Sequence, residues 1–308
     1  AQLVLIGSCF SDNIGSKLEN SKFNVLRNPF GVLYNPLSVA SGLHILMEKK
    51  FFNESDIEWH NGMWHSFYHH SIFSHPEKSE CLQKINDSIK MGHEYLKKAS
   101  HVFITFGTSW VFEKVSSGKI VSNCHKIPSG QFRRYSLSLN RIVSEFDEVI
   151  DRMKLFNPDA RFVFTVSPIR HWKDGAVENQ RNKSTLILAV SEICRAHPGS
   201  EYFPSYEIMM DDLRDYRFYA QDMVHPNDVA IQYIWEKFVL TYLSVERKKM
   251  LDEIDKLVKA ANHRPFQIST AEHQNFVRRT LKKIEDFEAQ HPSLDFKKER
   301  SFLTKQLQ

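Results

Sequence analysis

Up to about Val245 the chain alternates short apolar runs with longer amphipathic stretches. Leu3–Ile6, Asn24–Leu26, Val102–Phe106, Arg161–Val166 and Tyr202–Tyr206 have the length and the Val, Ile and Phe content of buried strands. Between them, 11–18, 36–49, 79–98, 137–156, 184–196 and 229–242 repeat apolar residues at helical spacing. Strands buried on both faces and separated by helices predict an α/β fold with a parallel sheet covered on both sides. In such sheets the reacting groups sit on loops beyond the carboxyl ends of the strands. Chemistry is therefore expected just after Ile6, Leu26, Phe106 and Val166, and in the last loop before Val229.

The pattern changes once. Beyond Val245 there is no glycine, tyrosine or tryptophan, and two helical stripes recur, Met250–Val258 and Phe276–Phe287. Residues 1–245 are thus expected to form the α/β domain, with an insertion at about 50–100, and residues 246–308 a helical extension of two or three helices. Of the 41 Lys and Arg and 37 Asp and Glu, 14 and 10 lie in that extension, so it carries the whole formal net charge of +4. Its charges alternate in sign, which fits a solvated helical face and not a nucleic-acid-binding arm. A hydrophobic fraction of 42% excludes wholesale disorder. No apolar run approaches the roughly 18–20 residues that span a bilayer, so no membrane partner is expected. The opening AQLVLIGSCF has no basic leader or small-residue cleavage site and reads as a core strand. Four cysteines without a CxxC pair suit a reducing, cytoplasmic setting.

The first marked loop reads Gly7-Ser8-Cys9-Phe10-Ser11-Asp12 and runs into a helix. A helix N-terminus favours negative charge and hence a thiolate, which makes Cys9 a candidate nucleophile with Ser8 as its competitor. Taken on position alone, Cys9 reads more readily as a small buried residue behind the first strand, and the last loop is what shifts the reading. The last loop holds Asp222 and His225, three residues apart, ahead of the final core helix. There a carboxylate can orient an imidazole and stabilise its protonated form, a base for a nucleophile distant in sequence.

These two blocks resemble the opening GDSL-type and closing DxxH blocks of the SGNH hydrolases. The chain is most similar to the subgroup named for its first motif, the GSCFA family, and Ser167–His171 and Tyr216–Tyr219 share in the likeness. The resemblance covers residues 1–245. It implies a flavodoxin-like three-layer α/β/α sandwich and ester hydrolase or acyltransferase chemistry that needs no cofactor. Carried over by position, it puts the nucleophile on Cys9, oxyanion donors on Gly31 and on Ser109, the latter replacing the family's Asn, and the base pair on Asp222 and His225. The second block falls on Asn28-Pro29-Phe30-Gly31, so Asn28 is expected to line the substrate site.

Other polar clusters suggest roles in binding. His65 and His69, in a segment of aromatic and His residues, have i, i+4 spacing that could give half a metal site; without further ligands, an aromatic cover over the site or a minor core is the expectation, and no metal. Cys124 beside His125 reads as structural or pocket-lining, because neighbours in a strand point oppositely. Arg170 and His171 follow a buried strand and could bind an anionic or hydroxylated group, although Arg170 could equally pair with Asp174. Glu178–Ser184 reads as a polar loop. The expected ligand is a small or carbohydrate acyl ester; the competing reading is a binding protein on a hydrolase-like scaffold.

Overall fold

The computed structural model describes residues 2–263, 265 and 267–307. Five strands form a parallel sheet in the order β10-β9-β5-β1-β2: β1 (Gln2–Gly7), β2 (Asn24–Arg27), β5 (Ala99–Phe106), β9 (Arg161–Val166) and β10 (Ser200–Tyr202). Counted along the chain this is the 2-1-3-4-5 order of flavodoxin-like folds, with its switch point between β1 and β5. The pairing is in register over Val4–Val102–Phe162 and Ile6–Ile104–Phe164. These even-numbered residues share one core with α2 (Pro36–Glu48), α3 (Lys78–Lys97), α4 (Leu139–Phe156) and α5 (Gly175–Ala196). Leu3, Leu5, Phe103 and Val163 point to the other face and are also buried. The first half of α1 (Cys9–Asn20) packs there, since a Cβ on Gly15 would lie 3.5 Å from Leu5.

Two smaller sheets decorate this frame. β3 (Glu58–His60) and β4 (Met63–His65) form a hairpin, and β6 (Trp110–Lys114), β7 (Lys119–Val121) and β8 (Phe132–Ser136) an antiparallel sheet. Neither was expected from the sequence. Both sheets are made of three- to five-residue strands, too short for a period to register. α5 starts at Gly175 instead of near Ser184. Its first turns are polar because Glu178 and Arg181 pair in solvent while Asn179, Asn182 and Lys183 turn inward. α6 (Ser205–Glu207) leads into a π-helical turn, and α7 (Asp228–Tyr242) follows the last loop.

Backbone contacts divide the chain into two compact units. One runs to Gly15 and from Asn24 to Glu236; the other comprises Ser16–Phe23 and the chain from Lys237 onward. The second contains α8 (Val245–Ala261), α9 (Ala271–Gln290) and α10 (Lys297–Thr304). Its own core is Ile254, Leu257, Val277, Ile284, Phe296 and Leu303, and the Lys22 ammonium, 2.6 Å from Glu299, lies over the Phe296 ring. No helix among the described residues is long and apolar enough to cross a membrane.

The end of β1 is the tightest point of the sheet. Gly7 has φ +141°, and a Cβ there would stand 2.2 Å from the Thr105 carbonyl oxygen of β5. Gly7→Ala is therefore expected to cost on the order of 3 kcal/mol, from strain plus the clash. That should lower the melting temperature by roughly 6–12 °C; melting unchanged from wild type would refute this account of the strand end.

Candidate active site

Gly7 is held on three sides. Its N–H donates to Asn28 Oδ1 at 2.9 Å, its carbonyl accepts from Leu33 N–H at 2.9 Å, and Ser8 N–H donates to Thr105 O at 3.1 Å. The chain then enters α1 with Cys9 as the first helical residue, so the Cys9 N–H is one of the amides that no helical carbonyl reaches. Ser8 is buried, and its Oγ accepts from Phe10 N–H at 3.4 Å. Cys9 keeps partial exposure, and its Sγ lies 3.6 Å from Tyr34 Oη. Of the two candidate nucleophiles, the thiol is the one within reach of solvent.

Tyr34 is a site residue that sequence reasoning missed. It lies in the loop after β2, which the sheet rule marks, but no motif or spacing singles it out. Its carbonyl accepts from the N–H groups of Gly107 and Thr108 at 2.8 and 2.9 Å, which fixes the loop against the end of β5. Burial, and then the neighbouring sulfur, push its phenol above the ordinary value, so it stays a hydrogen-bond donor. Its ring meets that of His171 edge-on, with centroids 6.2 Å apart.

In the last loop Asp222 Oδ1 accepts from the N–H groups of Val224 and His225, both at 2.9 Å, and Oδ2 lies 2.6 Å from His225 Nδ1. The His225 amide, then that of Val224, then the imidazole hold the carboxyl down to about 2, so Asp222 is ionised at neutral pH. With Nδ1 facing the carboxylate, Nε2 is the nitrogen left for chemistry. His225 is exposed. Arg170 N–H reaches Val224 O at 3.5 Å, which joins the loop after β9 to this one. His171 follows, its N–H on Asn179 Oδ1 at 2.9 Å. Burial first, then the charges of Lys183 and Arg134, lower its imidazole to about 4, with His225 adding to the effect.

The family model that describes the GSCFA family matches residues 2–238, more than three quarters of the chain. This chain belongs to the GSCFA family. A second model, described as the C-terminal domain of GSCFA domain proteins, matches residues 254–308. No curated protein matches. Among solved structures, an acetyl xylan esterase (Est2A) from the rumen bacterium Butyrivibrio proteoclasticus is similar at 10% identity and a TM-score of 0.40, over 78% of this chain and 63% of that one. The GSCFA chain thus spans less than two thirds of that structure's length.

Several expected site residues of this GSCFA protein are engaged elsewhere. Gly31 N–H donates to Asn28 O at 2.7 Å in a tight turn with φ +73°, so it is not free to bind an oxyanion. Ser109 is fully buried, its N–H on Asn182 Oδ1 and its Oγ 2.9 Å from Ser136 Oγ, far from the role of an exposed donor. The Asn28 amide is engaged as well, by Gly7 N–H and by the Asp12 carboxylate, at 2.9 and 2.8 Å. His65 ends β4 and is stacked on His125, with centroids 4.2 Å apart. His69 lies in the following loop between Phe30, Phe52 and Phe73. Both are buried, with Nε2 unpaired, so the pair forms a minor core and not a half metal site on a helix. Among the described residues no group of three His, Cys, Asp or Glu side chains could hold a metal ion.

Lys183 is the second residue missed, hidden in a stretch read as a polar loop. It is fully buried, and its Nζ donates to the carbonyls of Gly107 and Ser167 at 2.8 Å each, bracing the carboxyl ends of β5 and β9. Burial brings its ammonium down to about 7.

Acid should unfold the protein through its buried imidazoles. Burial holds His65 and His171 to about 4 and His69 to about 3, against 6.5 in an unfolded chain. Below pH 6.5 the unfolded chain binds protons that the folded one refuses, so the stability present above that pH is lost as pH falls toward about 3–4. Urea titrations from pH 8 to 4 should show this loss. His69→Leu should flatten the slope by up to about 1.4 kcal/mol per pH unit; an unaltered slope would show that His69 is not held neutral.

Proposed function

We propose that this protein is an SGNH-type ester hydrolase or acyltransferase with a cysteine nucleophile. The observation that carries the reading is the Asp222–His225 pair, a carboxylate fixed by two amides and a half-exposed imidazole that turns Nδ1 to it. It is supported by the place of Cys9, at the helix start beyond β1, on the sheet edge where α/β folds bind ligands. His225 Nε2 takes the thiol proton as Cys9 Sγ attacks the ester carbonyl carbon. The carbonyl electrons move to oxygen, where the Cys9 N–H and the Tyr34 hydroxyl donate to the developing charge. The intermediate collapses, the C–O bond breaks, and the leaving alkoxide takes the proton from His225. Water, or an acceptor hydroxyl, then gives its proton to His225 as it attacks the thioester carbonyl; the C–S bond breaks, and the Cys9 thiolate leaves and recovers that proton from His225. Asp222 holds the ring in the tautomer with Nδ1–H toward itself and stabilises the imidazolium. The substrate class is an acyl ester, O-acylated carbohydrate being the form that suits the aromatic residues beside the last loop.

The placement of Gly31 and Ser109 favours a second reading, a hydrolase-like protein that binds its ligand without turnover, because two expected oxyanion donors serve the fold instead. Turnover separates the two. With 4-nitrophenyl acetate and acetylated sugars, Cys9→Ala should abolish ester cleavage and His225→Ala should lower kcat/KM on the order of a thousandfold. Tyr34→Phe should cost between ten- and a hundredfold, mainly in kcat. Full activity in Cys9→Ala would remove the nucleophile assignment, and no cleavage by wild type would leave the binding reading.

A further inference from the structure

Arg170 lacks the carboxylate that the sequence offers it. Both oxygens of Asp174 are taken by Arg134, at 2.7 and 2.5 Å. Among the described residues no carboxylate comes within 4.0 Å of the Arg170 guanidinium. The nearby acids have their own partners: Asp222 holds His225 and two amides, and Asp215 accepts from Arg217 N–H and lies 3.9 Å from its guanidinium. Arg170 is surrounded instead by rings. Its Nη2 donates to Tyr219 Oη at 2.6 Å, and its guanidinium carbon stands 4.2 Å from the centroid of Tyr219, 5.4 Å from that of Trp172 and 5.5 Å from that of Tyr216. Tyr219 is buried and forms the floor, whereas Trp172 and Tyr216 keep 40% and 57% of their surface exposed.

A planar, half-buried guanidinium with N–H groups to spare is a receptor for a planar, bidentate anion. Two partly exposed aromatic rings beside it suit a ring with apolar C–H faces and polar edges. A phosphate dianion would call for further cations or a nest of backbone amides; one cation among three rings matches a monoanion with an apolar flank. The Arg170 amide is bonded to Val224 O, in the loop that carries His225, so the two segments are joined.

We propose that Arg170, Trp172 and Tyr216 form a subsite for a uronic acid unit, with the carboxylate on the guanidinium fork and the pyranose face against the exposed rings. This deepens the ester-hydrolase reading and rests on it for the reaction, since the substrate becomes an acylated acidic saccharide. The binding itself can be measured without turnover.

Ligand-observed NMR titration with methyl β-D-glucuronide, methyl β-D-glucoside and glucose 6-phosphate tests it. Wild type should bind the glucuronide at least about tenfold more tightly than the glucoside, the size expected of one charge-assisted hydrogen-bonded pair, and more tightly than the phosphate. Arg170→Gln should bring the ratio of glucuronide to glucoside affinity near one. Arg170→Lys, which keeps the charge and loses the fork, should retain part of it and covers the case in which Arg170→Gln does not fold. Trp172→Ala should weaken both sugars together. Equal affinity of wild type for the two glycosides, a preference for the phosphate, or a ratio that survives in Arg170→Gln would overturn the proposal. A glucuronide preference in a protein that cleaves no ester would instead overturn the hydrolase reading and leave this subsite standing.

Discussion

The site depends on how closely β1 and β5 approach at their carboxyl ends. At Gly7 the Thr105 carbonyl occupies the space of a side chain, so only glycine lets the two strands pair up to the point where β1 turns into α1. Because the strand end is pinned there, its polar groups are met by three different segments: Asn28 on the N–H, Leu33 on the carbonyl, and Thr105 on the next amide. The same contacts fix the loop that carries Tyr34. Cys9, one residue into the helix, therefore stands at a defined distance from a phenol, and the backbone of Tyr34 reaches on to Gly107 and Thr108. The geometry around the sulfur is a consequence of the switch point of the sheet.

The polar interior behind that edge is arranged so that its charges are few. Lys183 spends its donors on two carbonyls at the ends of β5 and β9, and burial favours its neutral form. His171, beside it, is held neutral for the same reason. Ser109, Asn182, Thr108 and Ser136 satisfy one another. Unpaired polar groups in such a place cost more than the bonds contribute, so this network acts as scaffold, and the proposed chemistry falls to groups outside it: Cys9, Tyr34, His225 and Arg170.

What was legible in the sequence follows from length and period. Four strands of the main sheet and most of the long helices show as apolar runs and helical stripes because they bury whole faces; the strand expected at Tyr202–Tyr206 instead lies at Ser200–Tyr202, a short polar edge strand, and Ser205–Glu207 is helical. Cys9, Asp222 and His225 stand out in the sequence as candidates because each lies at a loop that the sheet rule marks and within a short motif. The β3–β4 hairpin and the β6–β8 sheet left no signal, their strands being too short to set a period. Tyr34 and Lys183 act through tertiary neighbours far along the chain. A buried lysine among Glu178, Asn179, Gln180 and Arg181 looks like surface until α5 is seen to turn it inward. Gly31, Ser109 and Asn28 were transferred by position from a family pattern, and the hydrogen bonds that engage them cannot be read from a motif.

The central claim is that the Cys9 sulfur carries an acyl group between two half-reactions. Mixing the protein with 4-nitrophenyl acetate, quenching in acid within the first turnover and mapping peptides by mass spectrometry tests it most directly. The account predicts an acetyl thioester on the peptide containing Cys9, formed at the rate of nitrophenol release. Nitrophenol release with the acetyl group on Ser8, on another residue, or on no residue at all would contradict it.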